Sequence, residues 1–431
     1  MLEKIFDELF PIMRSITGFG IEKTIEICKR HIPLKKDKIP TGTKVFDWII
    51  PPEWYYYGAK LMDPEGNVIC DADINNLHLV NYSQPVDGCF ALEDLKLHSI
   101  PELPNAIPYI TSYYKTDWGF CLTHNQRQQL KKGFYHVKID TEFVNGGIPI
   151  AQAKLEGDME DEILLTSYIC HPSLANNELS GILAIISLYD KIRKWKKRRY
   201  TYRFLLNPET IGALCFLYKY GKDLKLVSGM VLTCLGGDAK TMKFKQSRCN
   251  SLINKVVEYD IKTLLPIEIL PFDPTSGSDE RQYCSPGFNL PMGQISRTTY
   301  MQYEGYHNSL DNKEFMNIDS VKESIETIEQ ILKYMEICGY PINTQPFGEP
   351  QLGKRGLYPN MNSAQTRENS EDNYIDGRTQ LNRILTILNM ADGKNTLMDI
   401  ANKLGVNVLD LKEIIEKLEK KGLVRYENII F

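Results

Sequence analysis

Apolar positions at helical spacing open the chain. In MLEKIFDELFPIMRSITGFG they are interleaved with Glu3, Lys4, Asp7 and Glu8, which predicts an amphipathic helix and not a secretory leader. A second helix is expected over roughly residues 20–31, ending before the turn-rich KKDKIPTGT. From about residue 45 to 136 the period shortens. VFDWIIPPEWYYYGAKLMDPEGNVICDAD and HLVNYSQPVDG are aromatic and β-branched runs cut by Pro, Gly and Asp. That pattern predicts a β-rich module over 45–136 with hairpin turns at DPEGN and PVDG.

Beyond residue 147 apolar runs alternate with helical patterns: IPIAQAKLEG, EILLTSYIC, a helix over about 179–194, TYRFLLN, a helix over IGALCFLYKYG, then SGMVLTCLG. Such alternation predicts an α/β domain with a largely parallel central sheet covered by helices. EILLTSYIC and GMVLTCLG are apolar almost throughout, as strands buried on both faces must be. A long helix over about 319–338 closes this domain, which is expected to be discontinuous, residues 1–44 and 137–340, with the β-rich module as an insertion. Residues 341–378 lack sustained periodicity and read as an irregular connection. Residues 379–431 read as three helices and a short β-ribbon, a helix-turn-helix with Gly405 in its turn and the look of a winged helix.

Charge changes the picture only by exclusion. The 431 residues carry 51 Lys and Arg against 55 Asp and Glu, so nothing pulls the chain toward nucleic acid or anionic lipid. Residues 379–431 hold eight Lys or Arg against seven Asp or Glu, thin for a phosphate-binding surface, so docking or dimerisation is preferred to DNA binding for the winged helix. The ten cysteines form no CxxC pair and several sit in apolar runs, which fits buried thiols in a reducing cytoplasm. No apolar run approaches the roughly 20 residues of a membrane span. The expectation is a cytoplasmic protein, with a homo-oligomer allowed.

Candidate chemistry lies at strand ends, where α/β proteins place their sites. His171 follows EILLTSYIC and Glu178 precedes the next helix; imidazole nitrogen and carboxylate oxygen are the common ligands of a catalytic zinc. TYRFLLN runs into PETIG, which puts Glu209 at a neighbouring strand end, placed to take a proton from bound water or simply to face a helix dipole. His307 lies in the tyrosine-rich TTYMQYEGYHNSLDN, with Tyr306 beside it as a substrate-side candidate. In SGSDERQYCSPGFNLP, Asp279 and Arg281 could present opposite charges to a zwitterionic ligand or pair with each other, and Asp279 is a reserve metal ligand.

In this order the motifs resemble the co-catalytic zinc aminopeptidase superfamily: a histidine after an apolar strand, D-N-x-S-G opening a helix, a Glu-Glu pair after the next strand, and a last histidine before Asp. The corresponding pieces here are His171, NELSG at 177–181, PETIG around Glu209, and YHNSLD at His307. Over nearly its full length the chain resembles a bacterial group of aminopeptidase-like proteins with an inserted β-rich domain and a C-terminal winged helix. The resemblance implies a zinc-peptidase-like (phosphorylase/hydrolase-like) mixed sheet flanked by helices, and gives Glu209 the role of general base. The departures are specific. Asn177 stands at the metal-bridging aspartate, Glu178 at the asparagine, and Thr210 at the second glutamate, while Asp238 comes several residues late for the remaining aspartate. The expectation is therefore one zinc per chain, held by His171, Glu178 and His307 with water in the fourth position, acting on an amide bond of a small peptide or amino-sugar-type substrate. The alternative is a catalytically silent binding protein using the same cleft, which the resemblance links to polysaccharide biosynthesis. A ligand-sensing transcriptional regulator ranks last.

Overall fold

The computed structural model describes residues 1–259, 261–300, 302–358 and 377–426. The chain divides into two compact units, Met1–Asn254 with Thr263–Glu329, and Lys255–Lys262 with Gln330–Phe431.

The first unit is organised by an eight-stranded sheet. Its order is Lys35–Pro40, Gly147–Leu155, Thr201–Asn207, Glu162–Tyr168, Leu226–Leu232, Met292–Ser296, Met242–Lys245 and Ile267–Leu270. The four strands from Thr201–Asn207 to Met292–Ser296 run parallel. Antiparallel pairings join further strands on either side, and the last two strands, Met242–Lys245 and Ile267–Leu270, pair parallel with each other, so the sheet is mixed. The Glu162–Tyr168, Thr201–Asn207 and Leu226–Leu232 strands are buried at every residue, which is why they read as continuous apolar runs. Helices Ser180–Arg193, Ile211–Tyr220 and Ile318–Ile337 accompany the sheet. In the first helix, Leu2–Leu9, the buried residues are Leu2, Ile5, Phe6 and Leu9, the one-sided stripe expected of it.

Ahead of Ser180–Arg193 the chain makes a single π-helical turn, Ala175–Leu179, a local distortion that often marks functional sites. The helix then packs flush on the sheet. A Cβ on Gly181 would lie 2.2 Å from Ser167 Oγ and 2.4 Å from Leu232 O, so only glycine fits there.

The β-rich segment forms a four-stranded antiparallel sheet in the order Val68–Asp71, Glu53–Met62, Phe134–Val144 and Val86–Ala91. It runs past residue 136, because Phe134–Val144 is one unbroken strand. DPEGN is the expected hairpin turn: Gly66 has φ +86°, and Asp63 Oδ1 accepts the Glu65 and Asn67 N–H groups. PVDG is not a turn. Val86, Asp87 and Gly88 lie in the edge strand Val86–Ala91, where Asp87 is exposed and the polar, glycine-containing run carries no sheet-core load.

In the second unit helices Gly377–Met390, Leu397–Leu404 and Lys412–Lys420 build the helix-turn-helix. Thr396 and Asp399 form a capping box, and Gly405 closes the middle helix in the left-handed conformation at φ 65°. The Tyr259 hydroxyl donates to Val406 O and accepts from Val408 N–H, which fastens the turn. The strand Val424–Tyr426 pairs antiparallel with Pro341–Asn343. The region expected to be irregular from 341 thus begins with a three-residue strand, too short to show a period of two. Residues 359–376 of that connection and the end of the expected ribbon, 427–431, lie outside the described residues.

Candidate metal and hydrolytic site

Two neighbouring strand ends create the site. Glu162–Tyr168 and Thr201–Asn207 pair in parallel with Tyr168 opposite Asn207, so Cys170-His171 and Glu209 leave the sheet side by side. His171 is 4% exposed. Its Nδ1 sits 2.7 Å from Glu178 Oε2, while its Nε2 is 3.6 Å from Glu209 Oε2. Burial works against the imidazolium, but Cys170 and Glu178 outweigh it and hold the His171 pKa well above the ordinary histidine value.

Behind this pair stands Arg14, a residue that the sequence reading passed over. It is wholly buried, donates from Nε to His171 O at 2.8 Å and from Nη1 to Leu9 O at 2.6 Å, and lies 3.8 Å from Glu178 Oε1. Burial lowers its pKa and Glu178 partly offsets this. A charged residue inside the apolar first segment was the signal available in the sequence.

Glu178, expected as a third ligand, bonds through Oε2 to His171 Nδ1, the nitrogen away from Glu209, and its buried Oε1 has no hydrogen-bond partner. Cys170, His171 and Glu178 do offer donor atoms within 4.8 Å of one another. Glu178 also faces Arg14, and Cys170 Sγ accepts the Glu209 N–H at 3.3 Å. A carboxylate on the second nitrogen of a histidine fixes its tautomer and aims the first.

His307 comes to the same rim. Its ring centroid lies 5.6 Å from that of His171, and it stacks on Tyr306 at 4.1 Å and 9°. Burial, with the charge at His171 second, lowers its pKa to about 3, which keeps the imidazole neutral. Tyr109 packs at 5.1 Å from His171 and 5.4 Å from His307. Its backbone N–H bonds to His307 O, and Ile107 and Ser309 exchange two more hydrogen bonds. The β-rich segment thereby holds the loop that carries His307.

The remaining candidates separate. Glu209 Oε1 accepts from Ser278 Oγ at 2.6 Å, leaving Oε2 toward His171. Asp279 is wholly buried; its oxygens take the Thr210 N–H at 2.6 Å and Asn207 Nδ2 at 3.2 Å. It is therefore not a free carboxylate for a substrate ammonium, and it tethers the PETIG turn. Arg281 is half-buried and donates from Nε to Ser278 O at 3.1 Å. Asp311 caps the π-turn through the Asn176 and Asn177 N–H groups at 2.6 and 2.9 Å. Asn177 gives its Nδ2 to the Tyr168 hydroxyl and leaves Oδ1 buried without a hydrogen-bond partner.

Strain gathers here. Among the described residues seven non-glycines have positive φ, and Ser173, Thr210, Cys234 and His307, four of them, lie in segments that build this rim. Backbone held in such regions is over-determined by its surroundings and concentrates at functional sites. For Thr210, at φ 60°, the restraint is the Asp279 bond.

Asp279 also sets a pH expectation. Burial, then the Glu209 charge, push its pKa up to about 8. The unfolded carboxyl would release its proton near ~3.9, so between these values the folded state binds more protons. Stability from this group therefore falls as pH rises through that window. Urea unfolding at pH values across it should show a decline that is flattened in Asp279→Asn; an equally steep decline in the variant would remove Asp279 as its source.

Residues 3–337 match the family described as a domain of unknown function, DUF4910, and residues 340–426 match the winged helix-turn-helix family. The chain belongs to the DUF4910 family. It is 39% identical over 428 residues, 98% of its length and 95% of the relative's, to a Clostridium acetobutylicum protein named for polysaccharide biosynthesis and an aminopeptidase-like domain. A crystal structure of a C. acetobutylicum protein carrying the name peptidase superposes with TM-score 0.82 at 37% identity, covering 99% of this chain and 96% of that one. A zinc aminopeptidase of Bacillus subtilis superposes with TM-score 0.55 at 8% identity, covering 78% of this chain and 95% of its own, a likeness of fold alone. This DUF4910 chain thus has an aminopeptidase-like α/β fold and a C-terminal winged helix. Among its described residues no helix is long and apolar enough to cross a membrane.

Proposed function

We propose that the chain is a metal-dependent hydrolase of the aminopeptidase type, holding one zinc and cleaving an amide bond of a small peptide or amino-sugar-type substrate. The observation that carries this reading is the aimed imidazole. His171 has Nδ1 fixed by Glu178 and Nε2 turned toward Glu209 at 3.6 Å, beside the neutral His307. Two imidazoles with one carboxylate, Glu178 or Glu209, both of which meet His171, are a donor set that suits a catalytic zinc. The amide of Asn177, neutral where the superfamily has a bridging aspartate, favours one metal over two.

When bound, the zinc would polarise the scissile carbonyl and acidify a water. The chain's own residues do the rest. Glu178 and Arg14 hold the His171 ring, Ser278 orients the Glu209 carboxylate, and Glu209 Oε2 accepts the proton of the attacking water. Buried Asp279 keeps the Glu209-Thr210 turn in place. The C. acetobutylicum relative's name, which joins polysaccharide biosynthesis to an aminopeptidase-like domain, supports a saccharide-linked substrate within this class.

Metal analysis by mass spectrometry on protein prepared without chelators should give about one zinc per chain, lost in His171→Ala and His307→Ala. A parent that takes up no metal even when zinc is supplied would end the hydrolase reading. The second reading, a silent binding protein on the same fold, draws on the missing acidic ligands at Asn177 and Thr210.

A further inference from the structure

The β-rich segment lines an open cavity of about 890 Å³ that the chemistry above does not use. Its walls are aromatic. Trp48 and Tyr114 meet at 5.0 Å and 72°, and Tyr82 lies 5.0 Å from Phe143 at 72°, so ring surface from both pairs lines the cavity. Trp48 is half-buried, and Tyr114 is 58% and Phe143 37% exposed, so that surface remains open. Between the rings stand Asp47, Gln84 and Thr116. Among the described residues no hydrogen bond or ion pair engages the side chains of Asp47 and Gln84. The cation of the lining, Lys115, is paired with Asp117 at 2.7 Å.

This combination selects a ligand class. An anionic ligand would meet an unpaired carboxylate and no free cation, and a purely apolar one would strand the Asp47 and Gln84 polar groups. A ring with apolar C–H faces and a hydroxylated edge satisfies both, its faces on Trp48 and Tyr114 and its hydroxyls on Asp47 and Gln84. We propose that this cavity binds a neutral pyranose ring of a saccharide and holds the sugar part of the substrate next to the hydrolytic rim. The second half of that statement rests on the hydrolase reading; the binding itself does not.

The two places are connected. Tyr113, in the cavity wall, shares a 2.7 Å hydrogen bond with Tyr109, the ring packed against both His171 and His307.

The test uses the full chain, and the Glu209→Gln variant so that hydrolysis does not intrude. Methyl glycosides of glucose, galactose, N-acetylglucosamine and N-acetylgalactosamine are titrated by saturation-transfer NMR, with tryptophan fluorescence as the second readout. At least one glycoside should bind at millimolar concentration, and Trp48→Ala and Tyr114→Ala should each weaken it about tenfold, the loss of one well-buried stacking contact. Two variants on different segments guard against one failing to fold. Absence of binding by all four glycosides, or affinity unchanged in both folded variants, would overturn the proposal. So would a proline-rich peptide that binds the cavity more tightly than every glycoside. Glycoside binding in a protein that takes up no metal would leave the cavity standing while the hydrolase reading fell.

Discussion

Arg14→Ala is expected to lower the free energy of unfolding by about 3–5 kcal/mol, the cost of breaking a buried ion pair by removing one partner. The residue is wholly buried, and its loss leaves Glu178, 1% exposed, with His171 as its one charged neighbour. It also frees Leu9 O and His171 O inside the core, each a buried acceptor that loses a charge-assisted bond. Urea denaturation at neutral pH measures the change. The double variant Arg14→Met, Glu178→Gln should recover part of the loss, because apolar packing often replaces a buried pair at little cost. A single variant within about 1 kcal/mol of the parent, the worth of a surface pair, would mean that Arg14 does not hold this corner.

That contact shows where reading along the chain stops. Arg14 and His171 are 157 positions apart, and nothing in FPIMRSITG says which strand end it reaches. The central sheet was legible because strands buried on both faces leave uninterrupted apolar runs, and helix Ile318–Ile337 because its apolar spacing is sustained over 20 residues. PVDG misled because turn-type residues also suit an exposed edge strand, and Pro341–Asn343 was too short to register.

The site was half legible for a related reason. Motif spacing brought His171, Glu209 and His307 to one rim, since each follows or precedes a regular element. Which nitrogen of an imidazole a carboxylate meets is a torsional fact that spacing does not encode, so the bond from Glu178 to His171 Nδ1 was not foreseen. Likewise the sequence spacing of Asp279 and Arg281 suggested a ligand clamp and gave no sign that Asp279 is bonded to the Thr210 N–H, 69 positions away. Tyr109 went unnoticed because its partner loops lie about 200 residues away, as the Ile107 and Ser309 bond shows with its separation of 202.

Glu209 carries the prediction that bears most directly on mechanism. In Glu209→Gln the side chain keeps its shape and an oxygen for the Ser278 hydroxyl, but it cannot accept a proton at neutral pH. A general base contributes about 10²–10⁴ in rate, so turnover of any amide substrate cleaved by the parent should fall by that factor. Zinc content separates the two jobs a carboxylate 3.6 Å from His171 Nε2 could do. If Glu209 is the base alone, the variant keeps about one zinc and loses only kcat. If it also ligates, zinc affinity falls with turnover, and adding zinc restores metal content without restoring rate, because the amide still cannot take the proton. Turnover within tenfold of the parent, with zinc bound, would remove Glu209 from proton transfer and shift attention to the water itself. Glu178→Gln is the matched control: it leaves the base intact but replaces the carboxylate on His171 Nδ1, and should weaken zinc binding by about 10–100-fold, as loss of a ligand's orienting partner does.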